Sequence, residues 1–116
     1  MMRLLDTSAV VDLLRRRTYE PGRIASITLI EVLRGVPREK RAEVKQLLEE
    51  SFEPIGLDNQ AILTYCSTHE ALRERGEAIP DADLLIAATA MSRGLTLKTG
   101  DRHFRRLEEL GLKIEA

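Results

Sequence analysis

The chain is poor in the features that mark most specialised proteins. Its one cysteine, Cys66, allows no intrachain disulfide, which excludes the disulfide-stapled secreted scaffolds and fits a cytoplasmic setting. Cys66 falls within an apolar helical pattern and is expected as a buried, reduced core residue. There is no tryptophan, and the aromatics are only Tyr19, Tyr65, Phe52 and Phe104, too few for a platform that stacks many bases. No stretch approaches the ~18 apolar residues of a membrane span. The apolar start is cut by Asp6 and Asp12, too early for a signal peptide. Charge of one sign is lacking as well: the net charge is −1, so the overall field does not mark a nucleic-acid binder. Arginine outnumbers lysine 14 to 4. That ratio suits bidentate phosphate contacts, and genome composition explains it equally well.

What is present is a globular composition, 43% hydrophobic and 32% charged over 116 residues. One domain is expected, burying roughly 65% of the unfolded chain's surface. The chain is organised around Leu4-Leu5-Asp6-Thr7-Ser8, an apolar run that ends in an acid and two hydroxyls. A helix is expected from about Ala9 to Arg17, and Glu20-Pro21-Gly22 is a turn. Ile24 to Ile27 reads as a short strand. Thr28 is expected to open the next helix, with Thr28-x-x-Glu31 as its capping box and Gly35 and Pro37 closing it. Arg38 to Glu50 reads as an amphipathic helix with Val44, Leu47 and Leu48 inward. Phe52 to Leu57 is a strand that Pro54 places at a sheet edge. Asp58 caps a helix from Asn59 to about Arg75 that buries Ile62, Tyr65, Cys66 and Leu72, with His69 partly exposed. The run Leu84 to Met91 has almost no polar face and is expected to be buried on all sides. Leu95 to Thr99 is a strand, Gly100-Asp101 starts a helix through Phe104, Leu107 and Leu110, and Leu112 to Glu115 is a terminal strand. Strands alternating with helices predict an α/β sandwich with a mainly parallel sheet.

Four acids sit where strands end or helices begin: Asp6, Glu31, Asp83 and Asp101. Such junctions, at the carboxyl ends of strands, are where open α/β sheets bind ligands. Each acid alone has a structural reading as a cap or first-turn residue. Together they repel: a pair ~4 Å apart costs about 4 kcal/mol at an effective dielectric near 20. A cation or retained protons relieve that cost. Oxygen ligands without cysteine or a second histidine point to Mg²⁺ or Mn²⁺ rather than zinc. Asp81 lies beside Asp83. Asp83 is favoured as the ligand because it directly precedes the apolar helix, which leaves Asp81 as the cap.

The segments Leu4 to Ser8, Ser26 to Gly35, Asp83 to Ala90 and Thr99 to Phe104 resemble the PIN-domain family, and within it the VapC-type toxins of toxin–antitoxin pairs. The resemblance runs through nearly the whole chain, with the motifs in the family's order. It implies a three-layer α/β/α sandwich and a Mg²⁺- or Mn²⁺-dependent ribonuclease. It also implies a cognate antitoxin protein that blocks the site, and a homodimer. By position, Asp6, Glu31, Asp83 and Asp101 resemble the four metal-binding acids, with Thr99 or Ser8 supporting a carboxylate or water. Arg34, Arg102, His103 and Arg105 are candidates for phosphate contact, each with a solvated surface charge as the plain alternative. Two other classes compete with this one. A phosphoacceptor or phosphatase needs a second acid close to Asp6, where Thr7 and Ser8 stand. A catalytically weak PIN-like module would act only by binding RNA or protein.

Overall fold

Leu4 and Leu5 are neighbours in sequence, yet each packs into a different core. That alternation follows from the period of two along a strand and requires apolar cover on both faces of the sheet. The computed structural model, which describes residues 2–116, has five parallel strands: β1 (Arg3–Leu5), β2 (Arg23–Ala25), β3 (Glu53–Ile55), β4 (Thr96–Lys98) and β5 (Lys113–Glu115), in the order β3-β2-β1-β4-β5. Leu5 is level with Ile24 on one side and with Lys98 on the other. Pro54 lies on the β3 edge, as its missing N–H demands.

Helices cover both faces, giving the α/β/α sandwich. On one face, Leu5 and Ile24 meet Val10 and Leu13 of α1 (Thr7–Arg16), Val32 of α2 (Ser26–Arg34) and Leu48 of α3 (Arg41–Ser51). On the other, Leu4, Ala25, Ile55 and Leu97 meet Leu72 of α4 (Asn59–Glu74) and Leu84, Ile86 and Ala87 of α5 (Asp81–Ser92). Phe104 and Leu107 complete this second core from a 3₁₀ segment, Arg102–Leu110. As expected from its composition, α5 is buried almost all round, from Leu84 through Ala90 with only Leu85 partly exposed.

Several local expectations are corrected. Helix α1 begins at Thr7, two residues early, because Asp6 itself is the N-cap, accepting from Ala9 N–H at 2.8 Å. Helix α2 begins at Ser26 rather than Thr28, and no side chain caps it. The capping box is therefore absent, and Glu31 stands in the second turn rather than the first. The stretch from Arg38 divides into a short 3₁₀ turn, Arg38–Lys40, and then α3. Leu47 and Ile62, expected inward, are 53% and 49% exposed. Cys66 is exposed rather than buried. In α4 the inward stripe is Ala61, Thr68 and Leu72, and Ile62 and Cys66 fall on the next row around the helix. The helix expected from Gly100-Asp101 is the 3₁₀ segment, with Asp101 as its N-cap.

Candidate functional site

Strand order reverses between β1 and β4, the place where open α/β sheets leave a crevice at their carboxyl ends. Asp6 closes β1 there, and its backbone N–H donates to the Lys98 carbonyl at 3.1 Å. Both of its carboxylate oxygens accept hydrogen bonds, and the residue is only 3% exposed. Oδ1 accepts from Ala9 N–H and from the Ser8 hydroxyl, both at 2.8 Å, and Oδ2 accepts from the Thr99 hydroxyl at 2.5 Å. Capping and site-building are thus one arrangement, with one oxygen facing the helix and the other facing β4. The Thr99 oxygen in turn accepts from the Asp101 backbone N–H at 3.0 Å, so a single hydroxyl joins the acids that follow β1 and β4.

Glu31 reaches the same edge from α2. Its Oε1 accepts from the Thr7 hydroxyl at 2.6 Å, and that hydroxyl lies 3.2 Å from the hydroxyl of fully buried Thr28. Arg34, a candidate for phosphate contact, lies 3.7 Å from the other Glu31 oxygen. The residues that sequence reasoning missed here are Thr7 and Thr28. Thr28 has the local look of a cap, and nothing local marks a pairing that spans more than twenty residues.

Asp83 comes from the first turn of α5. Burial, the largest influence, raises its carboxyl above the ordinary aspartate range, and the negative charges of Glu31 and Asp101 add to this while His103 opposes it. Asp83 therefore senses both other acids. The His103 ring lies between two of them, with Nε2 2.9 Å from Asp83 Oδ2 and Nδ1 2.6 Å from Asp101 Oδ1. His103 is thus engaged with acids, while Arg102 and Arg105 are exposed. Asp81 does not cap α5; Pro80 holds the cap position, and Asp81 accepts from the Tyr65 hydroxyl at 2.7 Å. That bond, chiefly, raises the Tyr65 hydroxyl's pKa.

The four acids are linked by short bridges. Thr99 joins Asp6 to Asp101, His103 joins Asp101 to Asp83, and Thr7, next to Asp6, holds Glu31. Among the described residues, no three His, Cys, Asp or Glu side chains already meet as a ligand set. The donor chemistry nonetheless fits a hard divalent cation: carboxylate oxygens dominate, and a carboxyl raised by burial and like charges is one that a cation would return to its ionised form. Of the four acids, Asp101 borders a cavity of about 550 Å³, lined also by Ser8, Asp12, Arg16, Lys98 and Thr99.

Residues 3–110 match the family model of the PIN domain. The chain belongs to the PIN-domain family. This PIN domain is 37% identical over 115 residues to Ribonuclease VapC1 of Methanocaldococcus jannaschii, covering 96% of the present chain and 85% of that protein. Among solved structures it resembles VapBC-1 of nontypeable Haemophilus influenzae, with a TM-score of 0.84 and 24% identity over 99% of this chain and 97% of that one. It also resembles DNA-bound VapBC of Salmonella typhimurium, with a TM-score of 0.82 and 25% identity over 99% and 98% of the two chains. VapBC-5 of Mycobacterium tuberculosis, a member of the VapBC family of toxin–antitoxin systems, has a TM-score of 0.72 and 28% identity over 98% and 95%. No helix among the described residues is long and apolar enough to cross a membrane.

Proposed function

We propose that this PIN domain is a divalent-metal-dependent endoribonuclease, the toxin of a toxin–antitoxin pair, held inactive by a cognate antitoxin protein. The observation that carries this is the gathering of Asp6, Glu31, Asp83 and Asp101 at the reversal of strand order. Likeness to Ribonuclease VapC1 supports RNA as substrate, and the VapBC structures support the antitoxin.

Asp6, Asp83 and Asp101 hold the ion, with Glu31 completing the set directly or through water. Mg²⁺ or Mn²⁺ bound there supplies Lewis-acid stabilisation of the charge that builds on a phosphoryl oxygen. Thr99, Ser8 and Thr7 keep the carboxylates aimed. Arg34, Arg102, His103 and Arg105 are the candidates for contact with backbone phosphates, of which His103 is engaged with acids, and the cavity beside Asp101 has a volume of about 550 Å³. The chain acts as one domain in the cytoplasm and pairs as a homodimer.

The test is cleavage of total cellular RNA by the purified protein with Mg²⁺, with Mn²⁺ and with a chelator, beside Asp83→Asn. Discrete fragments lost with chelator and in the variant are expected. A second reading is a module that binds RNA or antitoxin without cutting, against which the four acids speak. Intact RNA in every lane from folded, antitoxin-free protein selects it.

A further inference from the structure

Both nitrogens of one imidazole are taken up by two of the acids. The His103 contacts, 2.9 Å to Asp83 and 2.6 Å to Asp101, leave the ring at different nitrogens. The ring therefore stands between a carboxylate carried by α5 and one carried by the turn after β4. It is anchored there. It stacks on Phe104 with centroids 4.8 Å apart, Phe104 is 1% exposed, and the His103 backbone N–H donates to the same Asp101 oxygen at 3.3 Å. Mg²⁺ holds its oxygens at about 2.0–2.1 Å, so two oxygens on one ion stand at most about 4.2 Å apart. An ion seated between the two oxygens that the ring now contacts would have to take the space the ring fills. The ring has a way out, because the His103 side chain is 23% exposed.

Building on the metal-dependent reading above, we propose that His103 is a gate on the cation site. Its ring occupies the space between Asp83 and Asp101, and these carboxylate oxygens can share one divalent ion only after the ring swings aside. His103 acts here as a competitor of the ion and as a positioning residue for the two acids, neither ligating the metal nor touching substrate.

The experiment is a Mn²⁺ titration of the metal-free 116-residue chain at one fixed pH, read by the electron paramagnetic resonance signal of free Mn²⁺. Wild type is compared with His103→Ala and His103→Asn, the second being polar but too short to span both acids. Each variant is expected to bind Mn²⁺ about tenfold tighter, the scale of a lost hydrogen bond to a charged group. A second measurement needs no variant. The chain has two histidines, and saturation with Mg²⁺ should move the ring resonances of His103 while leaving those of His69 in place. Equal affinity in the variants, or a His103 ring unmoved at saturation, overturns the gate. Weaker binding in the variants overturns it in favour of a ligand role. Absence of Mn²⁺ binding in all three proteins removes the metal-dependent reading itself, and the gate with it, so the two failures are told apart.

Discussion

One hydroxyl, that of Thr99, holds two acids in place. Thr99→Val keeps the shape of the side chain while removing the donor to Asp6 Oδ2 and the acceptor for the Asp101 N–H. Asp6 is then left with a buried, unpartnered charged oxygen, a loss of about 1–3 kcal/mol. Urea unfolding should show it, with Thr99→Ser close to wild type. Asp83 behaves in the opposite sense. Its folded-state pKa is raised, so the protonated form is the one the fold favours. The associated stability is complete below the ordinary aspartate range and is lost as pH rises through the raised value. In a chelator at neutral pH, Asp83→Asn should therefore melt higher than wild type, and the difference should close toward acid pH. Thr7→Val should lower RNA cleavage by releasing Glu31, and Thr7→Ser should retain it. At this scale the sequence marks acids at the ends of apolar runs, because a strand's end is a local pattern. The hydroxyls that hold them were legible only in part: Ser8 and Thr99 stand near acids in sequence, whereas Thr7 meets Glu31 across 24 residues.

Helix ends record the same division between local and distant causes. Arg17 follows α1 in the left-handed region, with φ of 52°, a conformation that strains a residue bearing a Cβ. Arg17→Gly should stabilise the protein by about 0.5–1 kcal/mol, measured by thermal unfolding. The burial of α5 was readable from its sequence, since a helix with no polar face has only the interior to occupy. Ala87 and Ala90 are fully buried in it, and Ala87→Leu should cost about 1–3 kcal/mol by overpacking. Thr28 and Glu31 have the spacing of a capping box, which points to a start for α2 two residues later than Ser26. What decides it is the β2–β3 ladder, which ends at Ala25 opposite Ile55 and lets the helix begin at once. In α3 and α4, Leu47, Ile62 and Cys66 were misplaced by one helical row, because sequence fixes the period of an apolar stripe better than its centre.

For the whole molecule, alternation of strand and helix was enough to foresee a parallel sheet with helices on both faces. Strand order was not, because it depends on contacts that no short window contains. A divalent cation that binds only the folded site should raise the melting temperature, with about 2.7 kcal/mol gained at one hundred times its Kd. Asp83→Asn should lose most of that gain, as thermal unfolding with Mg²⁺ against chelator will show. The central strand, β1, also sets a timetable. It pairs with β2 some twenty residues on, but its other neighbour is β4, with Leu5 level with Lys98 and Thr99 bonded to Asp6 across 93 residues. Loop closure over that distance comes late, and during synthesis the N-terminal strands and helices emerge first. A growing chain therefore lacks its finished acidic edge until β4 has been made, and a product ending before Lys98 leaves Asp6 with no β4 beside it. For the ribonuclease proposed above, the topology withholds the acidic edge until β4 has joined the sheet.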